Sequence, residues 1–78
     1  MKILARNLAR TLTQAELHKM FVLHGEVASC DLVMDQVTGK SKGFCFVEMP
    51  VDAAASAAIK ALDGKSVQGS KMRVKKVK

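Results

Sequence analysis

The chain has no tryptophan, no tyrosine, one proline and only three phenylalanines among its 78 residues. Two of those three rings fall within one eight-residue stretch, KGFCFVEM, residues 42–49. Cysteine is equally sparse. Cys30 and Cys45 stand alone, with no CxxC pair and no histidine at ligand spacing, which argues against a zinc site or a disulfide framework and leaves two reduced, buried thiols. Long apolar runs are missing too: nothing approaches the roughly 20 residues that span a bilayer, and MKILARNL lacks the apolar region of a secretory signal. Acidic residues are absent from Lys65 onward, where Lys65, Lys71, Arg73, Lys75, Lys76 and Lys78 all fall.

What is present defines one small domain, residues 1–78, with a modest core. A hydrophobic share of 49% and a mixed charged remainder argue against disorder. The formal net charge of +6 points first to a polyanion, usually nucleic acid. Lysines that merely keep a small protein soluble are the plainer alternative. An anionic membrane is disfavoured, because no segment pairs a basic face with a wide apolar one.

Periodicity places the elements. KILAR reads as a short strand in which Ile3 and Ala5 alternate with Leu4 and Arg6. Thr13 and Glu16 have capping-box spacing, and Leu17, Met20 and Phe21 recur at helical intervals until Gly25 offers a left-handed stop, which predicts a helix over 13–24. Residues 26–35 alternate Cys30, Leu32 and Met34 with Ser29, Asp31 and Val33, a second strand. DQVTGKSK is a polar, flexible connection with Gly39 at a turn position, leading into KGFCFVEM as a hairpin. Asp52 opens an alanine-rich helix whose Ala55, Ala58, Ile59 and Leu62 form one narrow face before Gly64. KMRVKKVK closes the chain as a strand with one cationic face.

The order is βαββαβ. Two helices covering one face of a four-stranded antiparallel sheet make a two-layer α+β sandwich, the ferredoxin-like arrangement. The helices must cover the more apolar side of every strand. Inward go Ile3, Ala5, Cys30, Leu32, Cys45, Val47, Met72 and Val74; outward go Leu4, Arg6, Ser29, Asp31, Val33, Phe44, Phe46, Glu48, Arg73 and Lys75. An open sheet face with two rings near its middle and cations around them suits single-stranded nucleic acid, where bases stack on aromatics and cations hold phosphates. The alternative is that the rings sit beneath a covering loop or a partner protein.

KGFCFVEM resembles the octamer signature of the RNA recognition motif at Lys42, Gly43, Phe44, Phe46 and Val47, and ILARNL, residues 3–8, resembles its hexamer at Ile3, Asn7 and Leu8. LHKMFVLHGEV, DQVTGKSKGF and AAIKALDG are also similar to that family's patterns, so the resemblance covers essentially the whole chain. It implies that Phe44 and Phe46 are the stacking platform, that Lys42 meets the backbone phosphate, that Gly43 lies where the chain approaches the ligand, and that Lys75 is a contact at the end of the last strand. The departures are Leu4, where the hexamer usually has a third ring, Arg6 in place of a small residue, and Cys45 and Met49 on the inward side.

The expected function is therefore single-stranded RNA binding of low sequence selectivity, with a role in RNA stability or post-transcriptional regulation, by a cytoplasmic monomer without cofactor or metal. Single-stranded DNA is a second candidate ligand. The expected contacts are Phe44, Phe46, Lys42, Arg6, Leu4, Arg73, Lys75, Val33 and Asp31 on the sheet, Lys40 in the hairpin loop, and weaker attraction from Lys76 and Lys78. A protein-interaction module that presents the rings, or the Leu17 and Phe21 side of the first helix, is the competing reading. Catalysis is not expected: His18 and His24 form no identifiable arrangement with either cysteine, and an open sheet offers Asp31, Glu48 and Asp35 no cleft in which to act as an acid–base pair.

Overall fold

The alternation of Ile3 and Ala5 against Leu4 and Arg6 sets the architecture. In the computed structural model, which describes residues 1–77, the elements follow as β1 (Lys2–Arg6), α1 (Gln14–Val22), β2 (Ser29–Met34), β3 (Ser41–Glu48), α2 (Asp52–Leu62), β4 (Ser66–Val67), β5 (Ser70–Lys71) and β6 (Arg73–Val77). The main sheet is antiparallel with strand order β2-β3-β1-β6. Both helices lie on one side of it, giving the two-layer sandwich that the sequence predicts. Ile3, Ala5, Cys45, Val47, Met49, Met72 and Val74 pack there against Leu17, Phe21, Ala55, Ala58 and Leu62, all at most 2% exposed. Phe21 is thus the one ring that enters the core. With Leu17 it is closed off, so the α1 side that they would present to a partner is not available.

The helix termini follow from local chemistry. Thr13 caps α1: its hydroxyl accepts from the Glu16 N–H at 3.2 Å, and the Glu16 carboxylate accepts from the Thr13 N–H at 3.3 Å. The helix ends at Val22, short of the expected residue 24, and Gly25 is not a left-handed cap. Its φ is +150°, and a Cβ built there would lie 2.5 Å from the Ala54 Cβ. Glycine at 25 is needed because the chain leaving α1 runs directly against the first turn of α2. Asp52 stands in that first turn, where the helix dipole favours a carboxylate.

Three departures from the predicted elements have local causes. β2 begins at Ser29 rather than at residue 26. Its register against β3 shifts between Leu32 and Met34, because Lys42, Gly43 and Phe44 lie across from Val33 alone. Past the shift Met34, which the alternation sets on the Cys30 side of the strand, is 47% exposed, and Val33 is half-buried, as the two open-face rings are. β4 and β5, not anticipated from the sequence, form a hairpin on Gln68 (φ 51°) and Gly69 (φ 84°), two successive positive φ values that suit a tight two-residue turn.

The close approach of Gly25 to Ala54 has a direct consequence for stability. Gly25→Ala forces a methyl group into the Ala54 contact at a backbone conformation that L-residues rarely adopt, and is expected to cost about 1–3 kcal/mol in urea unfolding. Adding Ala54→Gly should recover part of that loss, making the pair non-additive. An unchanged unfolding midpoint for Gly25→Ala would rule out the contact.

Candidate nucleic-acid interface

Cross-strand pairing arranges the uncovered side of the sheet in three rows. Phe44 faces Arg6, which faces Arg73; Asp31 faces Phe46, then Leu4, then Lys75; Ser29 faces Glu48, then Lys2, then Val77. Because side chains alternate along each strand, these are the residues that the helices do not cover. The sheet therefore brings together Phe44, Phe46, Leu4, Arg6, Arg73, Lys75 and Asp31 as the sequence predicts. Phe44 and Phe46 are half-buried, with centroids 6.1 Å apart and planes at 87°, an edge-to-face pair that leaves ring surface open to solvent.

The charge on this face is divided. Arg6 and Arg73 stand directly opposite one another on adjacent strands, an arrangement that repels unless an anion lies between them. Asp63 relieves part of it: its Oδ1 lies 3.6 Å from the Arg73 Nε and also accepts from the Val74 N–H at 3.0 Å. Both partners of that ion pair are largely exposed, so its contribution is small. At the far side of the rings the face turns acidic with Asp31 and Glu48. An open depression of about 430 Å³ runs beside the rings between Leu4, Arg6, Arg10, Lys42 and Phe44.

Two cations on this surface escape the strand-by-strand reading. Lys2 shares the outward side with Leu4 and Arg6, and its Nζ lies 5.4 Å from the Phe46 ring centroid. Its position follows from the same alternation, since Lys2 is the first residue of KILAR and shares the side of Leu4 and Arg6. An exposed cation–π contact is worth about 0.5–1 kcal/mol, less than the roughly 1–3 kcal/mol of a base stacked on an aromatic ring, so the ammonium does not close the ring to a stacking partner. Arg10, in the loop after β1, donates to the Ser41 carbonyl at 3.1 Å, which fixes it at the edge of the depression. No local pattern marks that position; only the fold brings it near Lys42.

Other predicted contacts lie elsewhere. Lys76 pairs with Ile3 across the β1–β6 ladder, on the helix side of the sheet beside Ile59 and Lys60, and so faces away from the rings. Lys78 is outside the described residues. Gly43 is buried with φ +84°, and a Cβ there would come within 3.3 Å of the Arg10 Nε and 3.4 Å of the Leu8 carbonyl. A side chain there would meet the protein's own β1–α1 loop, whose Leu8 N–H donates to the Gly43 carbonyl at 2.9 Å, and Gly43 also lines the depression beside the rings.

Lys40 lies in the β2–β3 connection, which is tied rather than loose. The Asp35 carboxylate accepts from the Val37 and Thr38 N–H groups at 2.8 and 3.1 Å, and the Asp35 N–H donates to the Lys40 carbonyl at 2.7 Å. Those backbone N–H groups, Thr38 first, hold the Asp35 carboxyl below its ordinary range. In the core, Cys45 is pushed up by its contact with Cys30 and by burial, while the same contact holds Cys30 below the ordinary thiol range. Among the described residues no cluster of His, Cys, Asp or Glu could hold a metal ion.

A two-layer sandwich with an exposed aromatic and cationic sheet face defines a class of single-domain binding modules built on an open sheet. The residues at 3–73 match the model of the RNA recognition motif, and the chain belongs to that family. It is 44% identical over its whole length to "Putative RNA-binding protein RbpD" of Nostoc sp., covering 83% of that protein. It is also 41% identical over 73 residues, 94% of its length, to the chloroplastic 31 kDa ribonucleoprotein of Nicotiana sylvestris, of which it covers 23%. Among solved structures it resembles RNA Binding Protein PG1, with a TM-score of 0.91, 36% identity and coverage of 96% of this chain and 90% of that one. It also resembles the Sex-lethal protein in an RNA complex, at 0.93, 27%, 99% and 46% respectively.

The tied loop gives a pH dependence with a definite sign. Because the folded-state pKa of Asp35 is depressed, its stabilising effect is present above the unfolded value of about 3.9 and is lost as pH falls through the lower folded value. Amide exchange at Val37 and Thr38 should stay slow at pH 5. Asp35→Ala should accelerate it at that pH while leaving the core strands protected; equal exchange in both proteins would contradict the carboxylate's role.

Proposed function

We propose that this chain binds single-stranded RNA on the β1 and β3 face, holding about two to four nucleotides without catalysing a reaction. The observation that carries the proposal is the pair of rings, Phe44 and Phe46, left half-open on the side that the helices do not cover, with cations on the strands beside them. Family membership and the names of the relatives support it.

Phe44 and Phe46 stack bases. Arg6, Arg73, Lys42 and Lys75 hold phosphates, with Arg10 at the rim and Lys40 contributing from the loop. A phosphate between Arg6 and Arg73 would remove the repulsion between them, which ties the fold's least favourable cross-strand pair to a function. Leu4 between Phe46 and Lys75 supplies apolar contact where a third ring would stack, so affinity is moderate. Stacking accepts every base because each has a π face, and the platform is therefore broadly unselective. A role in RNA stability or post-transcriptional control is consistent with such binding, and single-stranded DNA should compete in part.

Two rings at about 1–3 kcal/mol per stacked base supply roughly 2–6 kcal/mol. Phe44→Ala/Phe46→Ala should accordingly weaken binding of a mixed-sequence RNA oligonucleotide by about 30-fold or more, with the protein still folded by circular dichroism. With about four phosphates neutralised, the logarithm of affinity should fall by about three per tenfold rise in salt. Equal affinity of the two proteins would overturn the stacking platform, and salt-independent binding would favour an apolar protein partner.

A further inference from the structure

The acidic end of the sheet has no role in holding phosphate. Asp31 lies directly across from Phe46, and Glu48 lies one row further along beside Ser29. With Lys2 and Phe46 they line a second hollow of about 240 Å³, separate from the cationic depression on the other side of the rings. Among the described residues the ion pairs are Met1 with Asp52 and Arg73 with Asp63, so neither Asp31 nor Glu48 is engaged. A phosphate is repelled from this end and drawn to the Arg6 and Arg73 end. A strand laid across the sheet therefore turns base edges, not backbone, toward Asp31.

The bases differ in what they offer a carboxylate, which only accepts hydrogen bonds when ionised. Uracil presents a single N3–H between two carbonyl oxygens. Cytosine and adenine present one amine beside a ring-nitrogen acceptor that faces the carboxylate unfavourably. Guanine alone places two donors side by side, N1–H and the N2 amine, which match the two carboxylate oxygens in the same parallel, bidentate way that a guanidinium does. Asp31 is better placed than Glu48, since it shares a row with the ring that would carry the base.

We infer that the Phe46 position is a guanine subsite, with Asp31 reading the N1–H and N2 amine of the base stacked on the ring. This rests on the RNA-binding reading given above and adds selectivity at one position to an otherwise permissive platform.

The test is titration of five-nucleotide uridine RNAs that carry one guanosine, inosine or adenosine at the centre, against the full chain and its Asp31→Asn and Glu48→Gln variants. Inosine keeps the N1–H and lacks only the N2 amine. The full chain should bind the guanosine oligonucleotide about tenfold more tightly than either of the others, the lower part of the range for a bidentate base contact. Asp31→Asn should bring the three within about twofold while still binding all of them, and Glu48→Gln should leave the preference in place. Equal binding of guanosine and inosine by the full chain, or a preference that survives Asp31→Asn or vanishes in Glu48→Gln, would overturn the assignment. If those affinities are equal yet still fall in Phe44→Ala/Phe46→Ala, the platform stands and the guanine subsite alone fails. If no oligonucleotide responds to loss of the rings, both fail.

Discussion

Two helices can cover only one side of a four-stranded sheet, and the side they cover is chosen by β3. Cys45, Val47 and Met49 are all fully buried, and the two-residue repeat of a strand then sends Phe44 and Phe46 to the other side. A slip of one residue would exchange the two sets, placing both rings in a core already filled by Phe21 and leaving the valine and thiol in water. Stability and the presentation of the rings are therefore fixed by one alternation. The chain has few aromatics because its core is built from Leu, Ile, Val, Met and Ala, and the two rings not used there are available to a ligand.

The same register organises charge. Pairing β1 with β6 sets Arg6 against Arg73, and pairing β2 with β3 sets Asp31 against Phe46. One end of the face is thus cationic and the other acidic, with the rings between them. Neither end helps the isolated fold much, since exposed pairs contribute little and like charges opposed across strands cost stability. Both ends make sense against a ligand that has an anionic backbone on one side and hydrogen-bonding edges on the other.

Much of the fold was legible because it depends on patterns of two and of three to four residues. The Thr13 and Glu16 cap, the Ala55, Ala58 and Leu62 stripe, and the inward placement of Ile3, Ala5, Val47 and Val74 all follow from spacing. What was not legible depends on tertiary approach. Gly25 looked like a helix stop and is a contact with Ala54, and no spacing in the sequence shows that Gly43 lies against Leu8 and Arg10. Met34 does not share the burial of Cys30 because β3 sets extra residues across from Val33, an irregularity that no period reveals. On the candidate face the rings and Arg6 were readable. Lys2 was readable as the first residue of KILAR but was not counted among the outward side chains, Lys76 was placed with the tail although the alternation turns it inward, and Arg10 needed the fold itself.

The most direct test of a sheet-face interface is a titration of isotopically labelled protein with a short single-stranded RNA, followed by backbone and side-chain chemical shifts. The account predicts that the largest shifts fall on Lys2, Leu4, Arg6, Phe44, Phe46 and Lys75, in the three rows of the open face, while Leu17, Ala58 and Leu62 beneath the helices hardly move. Shifts concentrated on α1 and α2, with the two phenylalanine rings unchanged, would contradict it.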